Sequence, residues 1–263
     1  MHYRDADNAY FEIVEAEMPG LFTKPGITNF PETYRAFLGF CAKTNSLKTA
    51  LFDMVDSNNP YAFNALFRCL CEHYLKFLYI FVRFTKEKTD AAGTEYFSFC
   101  GAVEARDYAS AIKMAEALLG NDLVGNVDSA IAQLYPAATD LSHRELEAAS
   151  NQFRYRAILR FFQSEVPAMI AAERPFLATI VPQYALLSSF VHGGPYTDME
   201  LYSYAEPKAL AECEERAEIA FLMASSVFMM SAAAVSREHR QHAAIAGRVK
   251  AVIDRVTQVH DKT

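Results

Sequence analysis

Three polar side chains recur at intervals of four residues in an otherwise apolar segment, YALLSSFVHGGPYTDMEL. They are Tyr184, Ser188 and His192, and on an α-helix they share one face. A hydroxyl or imidazole removed from water needs a hydrogen-bond partner, so we expect a neighbouring element to supply one. Alternatively, Ser188 bonds a carbonyl of its own helix, and His192 caps the helix end before Gly193.

A second polar line lies within SNNPYAFNALFRCLCEHYLKFLYIFVRFTKEK, where Arg68 and Glu72 are four residues apart and Asn64 extends the line. Their neighbours are large apolar residues, and charges in such surroundings need to be paired. We therefore predict that this line meets the three polar residues of the first segment in one cluster. The alternative is an Arg68–Glu72 ion pair at the edge of the core, without a pocket.

Together the two segments resemble a bacterial all-helical family catalogued as a domain of unknown function. LFRCLCEHYLKFLYI looks like its first signature, an Arg-x3-Glu on a long apolar helix. YALLSSFVHGGP looks like its second, a Tyr-x3-Ser-x3-His before small residues. The likeness covers roughly residues 59–198. It implies an all-helical fold and a polar cluster of the five residues concerned, and it implies no particular reaction.

Those helical proteins are in turn similar to the HEPN superfamily, many of whose members are metal-independent toxin or defence ribonucleases with an Arg-x4–6-His motif. The strings Arg68–His73 and Arg237–His242 have this form, although about one such string is expected by chance. Arg237 and His242 are the better candidates, because SREHRQH is polar and basic and an imidazole can act as acid or base near neutral pH. The alternative is a solvated junction between helices.

Other catalytic and metal-binding patterns are missing from the sequence. There is no Glu-x-x-His pair for a di-iron bundle, no glycine-rich phosphate loop and no Gly-x-Ser-x-Gly elbow. The 5 cysteines are scattered, and Cys69 and Cys71 are too close in sequence for the usual zinc spacing. We expect reduced, mostly buried thiols, no metal and no cofactor.

Helices must position all of these residues. The sequence predicts an all-α, multi-helix bundle with a long central helix and a buried apolar C-terminal helix. The central helix begins at Pro60 after an Asn59 cap and runs to about Thr85.

Three further helix boundaries follow from capping residues and proline. Gly120 ends one helix, and a capping box from Ser142 to Glu145 begins another that includes QFRYRAILRFFQSEV. Pro182 opens the short helix that carries the first polar segment.

Composition places the chain among compact globular proteins, with 263 residues, 52% hydrophobic and 22% charged. We expect a single helical domain over 1–263, with an N-terminal helical extension over about 1–57 and a core over about 58–263. The net charge of -7 argues against a surface that binds nucleic acid throughout, while a local basic groove stays open.

The uncharged stretch IAFLMASSVFMMSAAAV, at 219–235, is shorter than the roughly 20 residues of a membrane span. We interpret it as a buried helix and expect no membrane span; a membrane-associated effector is the alternative. The N-terminus shows no secretory signal pattern, which indicates a cytoplasmic protein.

Two functions fit these observations. The first is an intracellular effector of a toxin or phage-defence system that cleaves RNA without a metal, with histidine as acid or base and arginine stabilising the developing charge. The second is a non-catalytic binding or regulatory module that acts through a protein partner or as a homo-oligomer.

Overall fold

The computed structural model describes residues 1–22, 28–120, 127–136, 141–164, 174–202, 204 and 207–260, and none of these residues lies in a β-strand. The predicted all-α multi-helix bundle is therefore confirmed. The helices are α1 (Tyr3–Phe22), α2 (Pro31–Asp56), α3 (Pro60–Glu87), α4 (Ala91–Glu95), α5 (Gly101–Leu119), α6 (Val127–Leu134), α7 (His143–Ser150), α8 (Tyr155–Ser164), α9 (Arg174–His192), α10 (Pro195–Leu201), α11 (Pro207–Val235) and α12 (Ala243–His260). A π-helical turn (Tyr96–Cys100) and two 3-10 turns (Asn151–Phe153 and Arg240–His242) join some of them.

The long central helix, α3, begins and ends as local sequence signals dictate. The Asn59 side chain accepts a hydrogen bond from the Ala62 N–H at 3.1 Å, and Pro60 occupies the first turn, where a missing N–H costs nothing. The helix ends at Glu87, where Lys88 takes a left-handed conformation with φ 54°. The predicted start is confirmed, and the helix runs slightly beyond the predicted end.

Aromatic packing joins α3 to α2. The Phe37 ring of α2 meets Phe77 and Phe84 of α3 edge-on, with centroids 5.5 and 5.8 Å apart. Such pairs contribute about 0.5–1.5 kcal/mol beyond the burial of their area. The predicted boundary near residue 57 thus falls between two helices that contribute to one core.

The predicted apolar C-terminal helix is α11, and it is buried. It packs against α1, α2, α3 and α12. Its fully buried Ser225 and Ser231 donate to the carbonyls of Phe221 and Val227 in the same helix, both at 2.7 Å, so neither hydroxyl needs an outside partner. Within the described ranges it is the one helix long and apolar enough to cross a membrane, and most of that stretch is buried, as in the core helix of a soluble protein.

The helix predicted from Ser142 is interrupted. The capping box with Glu145 is present, but α7 ends at Ser150, and Arg154 adopts extended backbone before α8 begins. The interruption lets the buried Phe153 ring pack edge-on against Tyr79, with centroids 5.4 Å apart. Tertiary packing therefore overrides the continuous helical pattern.

The prediction that Pro182 opens a helix is wrong, because α9 already begins at Arg174 and continues through the proline. Leu177 and Ile180, on the turns before it, are buried in the core. Pro182 itself is exposed, so the carbonyl that loses its helical hydrogen bond lies on the side accessible to water. The helix end predicted at Gly120 is confirmed, with φ 72° at that glycine.

Candidate functional site

The polar line on α3 extends over four residues: Asn64, Arg68, Glu72 and Lys76, at intervals of four that keep them on one face. Asn64 and Arg68 are only 5% and 9% exposed. Helix α9 packs across this region, and the Phe190 carbonyl accepts a hydrogen bond from the Tyr61 hydroxyl of α3 at 3.2 Å.

Arg68 joins the two segments singled out by the sequence. One guanidinium nitrogen, Nη1, forms an ion pair with Glu72, and Nη2 donates to the Tyr184 hydroxyl at 2.7 Å. The guanidinium also lies over the Tyr184 ring, 4.1 Å from its centroid. The predicted meeting of the two segments is thus confirmed at Arg68, Glu72 and Tyr184.

Two cations hold the Glu72 carboxylate in its ionised form. Burial by itself raises the pKa of Glu72, but the hydrogen bonds and charges of Lys76 and Arg68 outweigh it and lower that pKa to about 2. Lys76 Nζ lies 2.7 Å from the carboxylate. Burial, and then the charge of Glu72, raises the pKa of the Tyr184 phenol. Both groups thus keep their ordinary charge at neutral pH, which suits binding better than proton transfer.

An open groove of about 500 Å³ lies beside this cluster, between α3, α8 and α9. Its wall includes two tyrosines stacked face to face, Tyr155 and Tyr184, with centroids 4.0 Å apart and planes inclined by 14°. The Tyr155 hydroxyl donates to the Val181 carbonyl at 3.1 Å, which fixes α8 to α9. The hydrogen bond and the stacking therefore hold the Tyr155 ring in the groove wall, while the Tyr184 ring is covered by Tyr155 and by the Arg68 guanidinium.

The groove is positively charged in an acidic chain. Four basic side chains line it: Arg68, Lys76, Arg154 and Arg156. Glu72 is the one acidic residue among the described residues of the lining. Arg154 and Arg156 are exposed, and neither forms an ion pair with another described residue. This local excess of positive charge contrasts with the net charge of -7 of the chain as a whole, and it favours an anion over a cation in the groove.

The other two residues of the first segment do not line this groove. His192 is exposed at the end of α9, where Gly193 has φ 64° and the Gly194 N–H bonds the Ser189 carbonyl at 3.0 Å. This is the hydrogen bond of a Schellman cap, so the double glycine ends a helix. Ser188 is half-buried, and its neighbour Ser189 receives a hydrogen bond from Thr197.

Neither Arg-x4-His string combines its two residues in the groove. His73 lies on another face of α3 from Arg68, with its ring 6.2 Å from that of Phe40 on α2. Arg237 is exposed in the turn after α11, and His242 lies in the following 3-10 turn, outside the described lining of the groove.

Sequence reasoning missed the contribution of α8. Arg154, Tyr155 and Arg156 form an Arg-Tyr-Arg tripeptide at the start of α8, and all three residues line the groove. The sequence predicted one continuous helix through this tripeptide and therefore gave no reason to place it beside α3 and α9. The break after Phe153 directs these residues to the groove.

No metal site is apparent in the described part of the chain, where no three His, Cys, Asp or Glu side chains converge. All five cysteines are free, as predicted: Cys41, Cys69, Cys71, Cys100 and Cys213. Comparisons with protein-family models, with curated proteins and with solved structures found no match. The resemblance to the helical family of unknown function and to the HEPN superfamily stays a prediction.

Proposed function

We propose that this protein binds single-stranded RNA in the groove between α3, α8 and α9, and that it does so without cleaving the strand. One observation carries the proposal: four basic side chains surround a pair of stacked tyrosines in a chain of net charge -7. Single-stranded nucleic acid is bound by this combination of a cationic groove and aromatic platforms.

Arg154, directly before α8, and Arg156, in its first turn, supply the contacts to the phosphates. A guanidinium binds a phosphate through two parallel N–H groups, and an exposed arginine loses little when it exchanges water for such a ligand. Arg154 and Arg156 meet this description, whereas Arg68 is already held by Glu72 and Tyr184. We therefore assign phosphate binding to Arg154 and Arg156, and we assign the shape of the groove to Arg68.

The geometry favours binding over catalysis. Among the described residues no histidine lines the groove, and His192 and His242 lie elsewhere. A metal-independent ribonuclease of the kind implied by the resemblance needs an imidazole near the phosphate. A toxin or defence setting and a cytoplasmic location rest on that resemblance and on the sequence alone.

Fluorescence anisotropy with a labelled, unstructured oligouridine tests the proposal. We expect the Arg154→Ala/Arg156→Ala double variant to bind at least about ten-fold more weakly than the wild type. We also expect it to reduce the slope of log K against log salt by about 1.4, since each lost phosphate contact on a single strand removes about 0.7. The labelled strand should be recovered intact.

Arg144→Ala/Arg160→Ala is the matched control, because it removes the same number of charges at two exposed arginines that do not line the groove. Equal weakening by the control and the double variant would show that only the overall charge matters. Cleavage of the oligonucleotide by the wild type would overturn the proposal and favour the ribonuclease.

The alternative, a module that acts through a protein partner or as a homo-oligomer, is favoured by one further observation. Helix α5 exposes several large apolar side chains, among them Met114, Leu118 and Leu119. Light scattering of the same samples gives the oligomeric state, and a Leu118→Asp variant that changes it would support this alternative.

A further inference from the structure

Tyr184 cannot stack on a ligand, because both faces of its ring are covered. The Tyr155 ring lies nearly parallel to it, with centroids 4.0 Å apart and planes inclined by 14°. The Arg68 guanidinium carbon lies 4.1 Å from the same centroid. Two groups cannot approach one ring this closely from the same side without overlapping, so they lie on opposite faces. The three side chains therefore form one stack in the order Arg68, Tyr184, Tyr155.

Tyr155 ends this stack, and its outer face is the face turned away from Tyr184. Among the residues that the structure describes, no second ring stacks on Tyr155 and no cation lies over it. The side chain is half-buried and lines the groove of about 500 Å³ between α3, α8 and α9. The outer face of Tyr155 is therefore the part of the stack that a ligand in the groove can reach.

The Tyr155 ring is fixed before any ligand arrives. Its hydroxyl donates to the Val181 carbonyl at 3.1 Å, and the Tyr184 ring supports its inner face. Tyr184 is held in turn by Arg68, whose Nη2 accepts no freedom of its own because it donates to the Tyr184 hydroxyl at 2.7 Å. An aromatic surface fixed in this way loses little conformational entropy when a ligand stacks on it.

The charges beside Tyr155 define the chemistry of the ligand. Arg154 and Arg156 are its neighbours in the chain, and both are exposed and line the groove. A ligand that uses all three side chains combines a flat ring with an anionic group close to that ring. A nucleotide has this chemistry, and a groove of about 500 Å³ falls within the roughly 300–1,000 Å³ typical of sites for small molecules.

Stacking strength decides which bases such a surface prefers. The Tyr155 hydroxyl is already bonded to Val181, so this side chain offers a base its ring face rather than a hydrogen bond to the base edge. A purine has two fused rings and covers more of a tyrosine face than a pyrimidine does, so its dispersion contacts and its buried area are both larger. Modest base preferences of single-strand binding proteins arise in this way.

We infer, building on the RNA binding proposed above, that one base of the strand stacks on the outer face of Tyr155 and that the groove therefore binds purines more tightly than pyrimidines. The phosphates next to this base lie at Arg154 and Arg156. Tyr155 thus determines the base preference, while the two arginines contribute affinity for any phosphate.

Three small probes that carry the same phosphate test the inference by isothermal titration calorimetry: adenosine 5′-monophosphate, uridine 5′-monophosphate and ribose 5-phosphate. We expect the wild-type protein to bind the adenosine probe at least about ten-fold more tightly than ribose 5-phosphate, the usual size of a base–aromatic contribution, with the uridine probe between them. Equal binding of the adenosine probe and ribose 5-phosphate, a preference for the uridine probe, or no binding of the adenosine probe at millimolar concentration would overturn the inference.

Two variants of Tyr155 separate the ring from its hydroxyl. Tyr155→Leu keeps an apolar side chain without a ring, so we expect it to bind the adenosine probe no more tightly than ribose 5-phosphate. Tyr155→Phe keeps the ring and should retain most of the preference. Tyr61→Leu is the matched control, because the exposed Tyr61 also donates to a carbonyl of α9, at 3.2 Å, but does not line the groove. A Tyr155→Leu variant with the wild-type preference would contradict the assignment.

The salt dependence of RNA binding distinguishes a failure of this stacking position from a failure of RNA binding itself. In fluorescence anisotropy, Tyr155→Leu should bind an oligoadenosine about ten-fold more weakly than the wild type at an unchanged slope of log K against log salt, because no phosphate contact is lost. If the wild type and Tyr155→Leu bound the strand equally, the stacking position would be wrong and RNA binding would stand. If the wild type bound no RNA, both would be wrong.

Discussion

Arg68 is held in place by two partners, and a single-atom change removes one of them. The residue is 9% exposed, and its Nη2 donates to the Tyr184 hydroxyl at 2.7 Å. A hydrogen bond to a charged group contributes about 1.5–3 kcal/mol. We therefore expect Tyr184→Phe to lower the free energy of unfolding by about 1–3 kcal/mol, since the ring and its stacking on Tyr155 remain. Urea unfolding followed by circular dichroism measures the loss.

Tyr108→Phe provides the comparison, because Tyr108 is 69% exposed. A surface hydroxyl of this kind should change the stability by less than about 0.5 kcal/mol. If both tyrosines gave the same small change, the bond between α3 and α9 would not contribute to stability.

At the scale of single residues, local spacing predicted only part of the site. Arg68, Glu72 and Tyr184 could be found because helical residues four apart share a face and buried charges need partners. His192 could not be placed in this way. Each step of four residues rotates a helical position by about 40°, so His192, two such steps beyond Tyr184, has turned away from α3 although Phe190 close to it still contacts that helix.

The end of α9 shows what a helix terminus needs from its sequence. Gly193 has φ 64°, a conformation that costs a residue with a Cβ about 1–2 kcal/mol. We expect Gly193→Ala to lower the free energy of unfolding by about 1 kcal/mol. Backbone strain is the cause rather than a clash, because a Cβ added there meets no atom within 4 Å. Thermal unfolding at neutral pH measures the change.

The same substitution at Gly247 should have the opposite sign. Gly247 lies inside α12, is exposed, and would also meet nothing within 4 Å. Alanine is the better helix former by about 1 kcal/mol, so Gly247→Ala should leave the protein equally or more stable. Destabilisation by both substitutions would indicate that loss of glycine, rather than its conformation, is responsible.

At the scale of helices, caps were predictable and interruptions were not. Asn59, Gly120 and the Ser142–Glu145 box act through their nearest neighbours in sequence, so their effect can be read locally. The break after Phe153 and the continuation of α9 through Pro182 depend on which rings and aliphatic side chains the other helices bury. Such contacts are absent from a local pattern.

At the scale of the whole molecule, the apolar length of α3 and α11 was enough to predict an all-helical bundle. Buried helices must pair their backbone groups internally, and long stretches rich in apolar residues have few other ways to do so. The groove was not predictable in the same way, because Arg154 and Arg156 line it only once the start of α8 is packed beside α3 and α9.

Two neighbouring residues on α3 make the stability of the whole fold sensitive to acid. Burial, followed by the charges of Lys43 and Lys76, lowers the pKa of His73 from 6.5 to about 4. Between these two pH values His73 binds a proton in the unfolded chain but not in the folded protein, so the free energy of unfolding falls as the pH falls. Glu72, with a folded pKa of about 2 against an ordinary value of 4.5, extends the loss to lower pH.

Two variants should separate the contributions of His73 and Glu72 to this loss of stability, in urea unfolding measured from neutral pH to about pH 3. His73→Leu should remove the loss between about pH 6.5 and pH 4, on the order of 2 kcal/mol, because the replacement cannot be protonated. Glu72→Gln should be less stable at neutral pH, since it no longer compensates Arg68. It should also be less sensitive to acid below about pH 4.5, because the amide does not take up a proton there. His143→Leu, at an exposed histidine, controls for the loss of an imidazole. A His73→Leu profile parallel to that of the wild type would mean that other groups cause the acid sensitivity above pH 4.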